Sequence, residues 1–274
     1  MSEPFDAERF ALLAANLTLG RPLVATLETG STNDDALAAA REGVEHGALF
    51  VTEEQRAGRG RRGSRWLAER SEGLLFSIVL RPDVAVERAP ALALIAGLAV
   101  REVVSTLLVA AGSSERVLVK WPNDVVIARS WLAKLAGILV ESQVRGSKLT
   151  AAIVGVGLNV GRLELPCEFE TQATSLAALG VSVERERLLV DILRAIEVRL
   201  AVLENENPET PLETLAEELS AFDALKGRKL HVENLLGCGA GIDGDGYLKV
   251  EDEAGMMHRI GSGHVRVLDS RERA

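Results

Sequence analysis

Residues 52–66 read TEEQRAGRGRRGSRW, in which Arg56, Arg59, Arg61, Arg62 and Arg65 alternate with Gly58, Gly60 and Gly63. The whole chain carries a formal net charge of −9, so this cluster runs against its surroundings. Arginine presents a planar fork that matches phosphate and carboxylate oxygens. Glycine lets backbone approach such a group closely and adopt a positive φ. The apolar runs 48–52 and 74–80 bracket the cluster and read as strands. The stretch is therefore a loop pinned at both ends by a sheet, and its composition is that of a loop that handles an anion.

Working outward, residues 1–20 form a short amphipathic segment whose apolar face would be Phe5, Phe10, Leu12, Leu13 and Leu17. Residues 23–27 read as a short strand. Gly30-Ser31-Thr32-Asn33-Asp34-Asp35 opens a helix through Arg41, closed by Gly43. Ser31 or Thr32 would cap it, and two acids in the first turn favour the helix dipole. A plain capped helix accounts for this; the same hydroxyls and amides can also hold a small polar ligand. Residues 87–110 are almost continuously apolar and predict a long helix buried against a sheet, since Arg101 and Glu102 interrupt any membrane span.

Residues 117–127 read VLVKWPNDVVI, two β-rich runs around a break at Pro122. That segment is either a surface hairpin with a stacking Trp, or a device that places Lys120 and Asp124 beside one ligand. Lys134 stands in the apolar run LAKLAGILVE. It is either a snorkelling edge lysine, partnered by Glu141, or a cation reaching for an anion. In LTAAIVGVGLNV (149–160), Gly155 and Gly157 share one face of a strand, with Asn159 at its end, so that face has room for a ring or a backbone.

A short helix is expected over 174–179, a long amphipathic one over 184–203, a polar break over 205–211 and a last helix over 212–224. From Lys229 to Leu268 short β runs alternate with glycine turns, so a small β-barrel or meander follows a boundary near Leu225. Hydrophobic residues make up 47 % of the 274, enough for a sizeable core, whereas aromatics at 4 % leave aliphatic side chains to fill it. The acidic balance argues against a general nucleic-acid binder. Cys167 and Cys238 lack metal-ligand spacing and read as reduced thiols. His46, His231, His258 and His264 show no zinc or triad spacing and receive no chemistry.

Taken in order, STN at 31–33, Q-x-x-GRGRRG at 55–63, Trp66, KWPNDV at 120–125, KLAGILVE at 134–141 and GVGLNV at 155–160 resemble the biotin protein ligases. The tail AGIDGDGYLKVED resembles that family's C-terminal SH3-like domain, so the likeness covers roughly residues 20–268. The resemblance implies an α+β chain. Its mixed sheet flanked by helices would be a class II aminoacyl-tRNA synthetase-like biotin/lipoate ligase catalytic domain at 1–225, and its SH3-like β-barrel would lie at 226–274. It also implies a two-step reaction: biotin and ATP give biotinyl-5′-AMP, and a lysine of the biotin carboxyl carrier protein of acetyl-CoA carboxylase then takes the biotin.

By the same resemblance Lys134, Arg59 and Arg61 are catalytic. Ser31, Thr32, Asn33, Gln55, Arg59, Gly60, Arg61 and Lys134 bind biotin. Arg61, Trp66, Lys120, Asn123, Asp124 and Asn159 bind the nucleotide, with Asp124 a ligand for Mg²⁺. ATP, Mg²⁺ and biotin are expected as co-substrate, metal and substrate, with no tightly bound prosthetic group. A cytoplasmic enzyme of the monofunctional type, lacking the N-terminal DNA-binding domain, is expected to bind neither DNA nor membrane; monomer and homodimer both stay open. Two departures stand out. Ser64 precedes Arg65 where the family commonly has Arg first, and residues 125–133 make a longer hairpin than compact members have, so its tip around Arg129-Ser130-Trp131 is expected to protrude. The nearest rival reading is a lipoate–protein ligase or octanoyltransferase of the same fold; GRGRRG and KWPND favour biotin.

Overall fold

The computed structural model describes residues 3–82, 86, 89–146, 148–163, 173–205 and 212–268. Cys167 and, apart from Asn205, the polar break at 205–211 lie outside the described residues. Seven strands form one mixed sheet: β1 (Leu23–Thr26), β2 (Leu49–Thr52), β3 (Gly73–Leu80), β4 (Arg116–Lys120), β5 (Asp124–Ala128), β6 (Leu132–Arg145) and β7 (Lys148–Asn159). Their spatial order is β1-β2-β3-β7-β6-β5-β4. Only β1 and β2 run parallel; the remaining pairs are antiparallel.

The period of two in the central strands sorts their side chains onto two different faces. Phe76, Ile78 and Leu80 of β3 enter the main core, with Val154, Val156 and Leu158 of β7. Helix α3 (Ala91–Ala110) packs on that side, and α4 (Arg185–Asn205) packs on α3. The helix α3 is long and apolar enough to cross a membrane by length and composition. Here every residue from Ala91 to Val100 is buried. On the other face, α2 (Thr32–Arg41) sets Ala36 and Ala40 against Phe50, Val79 and Ile153. It covers only part of that face, and the uncovered part becomes the floor of a cavity.

The N-terminal helix α1 (Ala7–Leu13) buries Phe10, but Leu12 is 79 % exposed. Leu12 therefore leaves the expected apolar face, because residues two apart on a helix do not share a side. The expected helix at 174–179 shrinks to one 3₁₀ turn, Ala177–Leu179. Its upstream amides are spent elsewhere: Thr174 donates to the Lys134 carbonyl, Leu176 to Asn159 and Ala177 to Val160. The last helix is likewise shorter than expected, α5 (Ala216–Phe222). A second, antiparallel sheet follows, with β8 (Lys229–Val232), β9 (Leu235–Ile242), β10 (Leu248–Asp252), β11 (Met257–Ile260) and β12 (Val265–Val267) in the order β11-β10-β9-β8-β12. This arrangement fits an SH3-like domain.

One buried ion pair ties the N-terminal segment to the sheet and to α4. Arg185 Nη1 lies 2.8 Å from Glu53 Oε2, with the two side chains 9 % and 3 % exposed. Arg185 also donates to the Glu3 carbonyl, and Phe5 N–H donates to Glu53 Oε1. Burial alone would raise the Glu53 carboxyl, but hydrogen bonds from Arg185, Ser71 and the Phe5 amide outweigh it and hold it below its ordinary value. A carboxylate lowered in the folded state contributes stability that is complete above its unfolded pKa and is lost as pH falls through the folded one. Glu53→Gln should therefore cost about 3 kcal/mol at pH 7, the scale for breaking one side of a buried pair. The deficit relative to the parent should shrink below about pH 4. Urea unfolding of both proteins across that range checks the sign; a deficit that grows on acidification would refute it.

Candidate active site

The cavity has a volume of about 430 Å³ and opens between the uncovered sheet face, the start of α2, the Arg-Gly loop and the second sheet. Its floor depends on missing side chains. A Cβ on Gly155 would overlap Asn33 Oδ1, and one on Gly157 would overlap the Trp66 indole. At Gly137 of β6 a Cβ would come within 2.8 Å of Trp66 Cζ3 and 3.1 Å of Lys134 Nζ. Gly137 and Gly157 are directly paired across the ladder. The glycine face expected from the alternation therefore carries an indole ring and an amide.

At one end of the floor the polar side chains form a connected set. Thr32 N–H donates to Gln55 Oε1 at 2.9 Å. Ser31 occupies the N-cap position in extended geometry yet makes no side-chain capping bond. The cap of α2 thus comes from the loop residue Gln55, and the Ser31 hydroxyl is left lining the cavity. Ser77 Oγ donates to Asn33 Oδ1 at 2.6 Å and lies 2.8 Å from Thr32 Oγ1. Asn33 Nδ2 donates to Glu141 Oε2 at 2.8 Å. Ser77 is fully buried, and sequence reasoning missed it. The available signal was one hydroxyl in the otherwise apolar run GLLFSIVL.

The other end is cationic. Lys134 Nζ lies 2.7 Å from Asp124 Oδ1 and 5.4 Å from the Trp66 ring centroid. Its carboxylate partner is therefore Asp124 rather than Glu141. Burial pushes the Lys120 ammonium down from its ordinary value; Asp124 pulls it up and Lys134 lowers it further. Among the described residues Arg61 and Lys120 have no ion-pair partner, although both line the cavity. Three cations therefore face one carboxylate, and such a surplus in a partly dehydrated wall favours an anionic ligand.

The Arg-Gly loop forms a tight turn over this end. Gly60 N–H donates to the Ser64 carbonyl at 2.7 Å, and Ser64 Oγ donates to the Arg61 carbonyl at 2.8 Å. Ser64, the departure from the family pattern, thus closes the turn in which Arg62 adopts a positive φ of 53°. Arg59 is clamped between Asp34 and Glu141, each 2.6 Å away. Arg62 reaches across to Glu233 of the second sheet at 2.6 Å, and Arg65 makes a 3.4 Å contact with the Arg56 carbonyl.

The KWPND turn joins the two sheets. Trp121 is buried and donates Nε1–H to the Gly246 carbonyl at 2.9 Å, so it is no surface stacker. Asn123 lines the cavity, but its Nδ2 donates to the Ile138 carbonyl, whose own amide donates back to the Asn123 carbonyl, both at 2.8 Å. Asn159 departs from expectation: it is buried and its Nδ2 donates to the Thr174 carbonyl, which turns it away from the residues lining the cavity. Gly263, His264 and Val265 of the second sheet's last connection complete the wall, unforeseen because nothing in the spacing of His264 announces a site. The hairpin tip does stand out, with Trp131 39 % exposed. Among the described residues no three His, Cys, Asp or Glu side chains converge as a ready metal centre.

Comparison with known proteins places this geometry. Residues 29–159 match the model of the biotin/lipoate A/B protein ligase family. The chain is 36 % identical over 248 residues to a biotin–[acetyl-CoA-carboxylase] ligase of Mycobacterium tuberculosis, covering 89 % of this chain and 88 % of that one. It is 32 % identical over 243 residues to the bifunctional ligase/repressor BirA of Bacillus subtilis, covering 87 % of this chain and 72 % of the relative. Among solved structures, the biotin protein ligase from Aquifex aeolicus in complex with biotin and ATP superposes with a TM-score of 0.72 at 26 % identity, over 91 % of this chain and all of that one.

Proposed function

The chain belongs to the biotin/lipoate A/B protein ligase family, and from that premise we propose how its cavity works. The protein is an ATP-dependent biotin–protein ligase. It joins biotin to ATP as biotinyl-5′-AMP, releasing pyrophosphate. It then passes the biotinyl group to a lysine amine, releasing AMP. The acceptor is the biotin carboxyl carrier protein of acetyl-CoA carboxylase.

The observation that carries this reading is the surplus of cations beside the glycine floor. Adenylation brings a carboxylate against the α-phosphate, so negative charges must approach each other; fixed cations lower that barrier without reorganising. Lys134 is the central one, set beside both the indole and Asp124. Arg61 lacks a carboxylate of its own among the described residues and is available to the phosphate. The connected set Thr32, Asn33 and Gln55, with the Ser31 hydroxyl beside it, suits the ureido ring, which offers both donors and an acceptor. Arg59 and Gly60 hold the turn above it, and Trp66, Lys120, Asn123 and Asp124 form the nucleotide side.

Mg²⁺ fits this wall through Asp124, whose Oδ1 is buried with no well-aligned hydrogen-bond donor. A magnesium ion that arrives with nucleotide phosphates needs only one or two protein carboxylates. When bound it would neutralise phosphate charge; Asp124 would hold it and Lys134 would be released toward the substrates. The loop excludes water from the mixed anhydride, which otherwise hydrolyses before the acceptor arrives.

A lipoate or octanoate ligase of the same family is the reading not favoured by the relatives. ATP–pyrophosphate exchange measured in parallel with biotin, lipoate and octanoate separates them. Exchange dependent on biotin alone is expected, and exchange with lipoate or octanoate at an equal or higher rate would overturn the assignment.

A further inference from the structure

We propose that Glu141 is a positioning residue that fastens the Arg-Gly loop to the cavity floor. Resting on the ligase reading above, it sets how firmly the loop covers the bound acyl-adenylate.

Side chains alternate along β6. Gly137, Leu139 and Glu141 fall on one side, and two of them line the cavity. Glu141 pairs across the ladder with Ile153, and Ile153 belongs to the small apolar cluster under α2. A carboxylate at the border of that cluster needs partners, and it takes two through a single oxygen. Oε2 accepts from Asn33 Nδ2 at 2.8 Å and from Arg59 Nη2 at 2.6 Å. Asn33 is itself fixed from its other end by Ser77. One oxygen thus links a residue of the floor to a residue of the loop.

Other ties of the loop differ in kind: at its base Gln55 accepts from the Thr32 amide, and the Arg56 and Ala57 amides donate to the Thr29 and Gly30 carbonyls, which hold the root of the loop but not its tip. Its turn bonds, Gly60 to Ser64 and Trp66 to Gly58, are internal and set its shape, not its position. The Arg62–Glu233 pair joins the second sheet, and both side chains are about half exposed, so solvent weakens it. Arg59 reaches the body of the catalytic sheet, and it does so through Glu141 on β6 and Asp34 on α2. The Glu141 side chain is 25 % exposed against 56 % for Asp34, so its charge-assisted bond is the less screened of the two. Because Oε2 holds Asn33 as well, a shift of Asn33 on ligand binding is transmitted to Arg59 through one atom.

The test reads loop position directly. Arg59, Arg61, Arg62 and Arg65 are all tryptic sites, so limited trypsinolysis of the ligand-free protein reports how often the loop lifts. Glu141→Gln should speed cleavage after Arg61 and Arg62 about fivefold or more, and should speed release of preformed biotinyl-AMP in the same proportion. Arg59→Met, which also removes the pair with Asp34, should speed both at least as much, and the double variant should be no faster than Arg59→Met alone. Cleavage of Glu141→Gln at the parental rate would overturn the proposal, as would single effects that multiply in the double variant. Should Glu141→Gln fail to fold, as judged by its thermal midpoint, Glu141→Asp decides by the same criterion. Trypsinolysis uses no substrate, so loss of biotin-dependent exchange in the parent would sink the ligase reading and leave this result standing.

Discussion

Lys134→Met should lower biotin-dependent ATP–pyrophosphate exchange by about 10²–10³-fold, the cost of removing one preorganised charge from a developing transition state. The position of Lys134 makes the effect specific. Its ammonium is held by Asp124 at 2.7 Å, beside the Trp66 ring and above Gly137. The side chain is 36 % exposed, so the fold does not depend on it as it does on the Glu53–Arg185 pair. Stability should fall by no more than about 1 kcal/mol. Lys134→Arg restores charge but replaces a compact ammonium with a wider fork, and it should recover only part of the rate. Exchange within threefold of the parent in Lys134→Met would remove Lys134 from the chemistry.

Two alanine substitutions in the floor should separate the halves of the site. A methyl at Gly155 occupies the place of Asn33 Oδ1, so Gly155→Ala must displace Asn33 from Ser77 and Glu141. A methyl at Gly157 occupies the place of the indole, so Gly157→Ala must displace Trp66. Neither glycine has a positive φ, so alanine meets no backbone penalty in either strand position. The expected result is crossed. Gly155→Ala should raise the KM for biotin about tenfold or more with little change for ATP, and Gly157→Ala should do the reverse, each through polar or stacking contacts worth about 1–3 kcal/mol. Steady-state kinetics with each substrate varied in turn checks this, and equal effects on both KM values would show that the two halves are not separable.

Much of the site is legible from local pattern. The glycine pair at 155 and 157, the lysine in an apolar strand and the arginine-glycine loop each break a rule that an ordinary core strand or turn obeys. The structure brings Lys134, Asp124, Trp66 and Arg61 to one wall, and local rules broken for the sake of function are the ones that sequence displays. What escaped reading depends on partners distant in the chain. Ser77 means nothing until Asn33 arrives 44 residues away in sequence. Glu141 was legible only as a neighbour of Lys134, because its true partners come from α2 and the loop. Asn159 has the right parity for the floor, but the Thr174 carbonyl claims its amide first. The shortened turn at 177–179 has the same origin, since strand edges take the amides a helix would need.

Four successive residues, Trp121 to Asp124, serve two masters. Trp121 hydrogen-bonds the second sheet through Gly246, while Asp124, three positions on, holds Lys134 at the cavity. Between them Asn123 is stitched to β6 in both directions. So short a segment cannot move one end and keep the other, and docking of the second sheet should be linked to the shape of the cationic wall of the cavity. Whatever free energy a ligand gains by fixing the turn is shared with the seam between the two sheets, and by reciprocity a loosened seam is felt as weaker ligand binding. The small C-terminal sheet is in this sense felt at the cavity through Trp121 as well as through the Arg62–Glu233 pair.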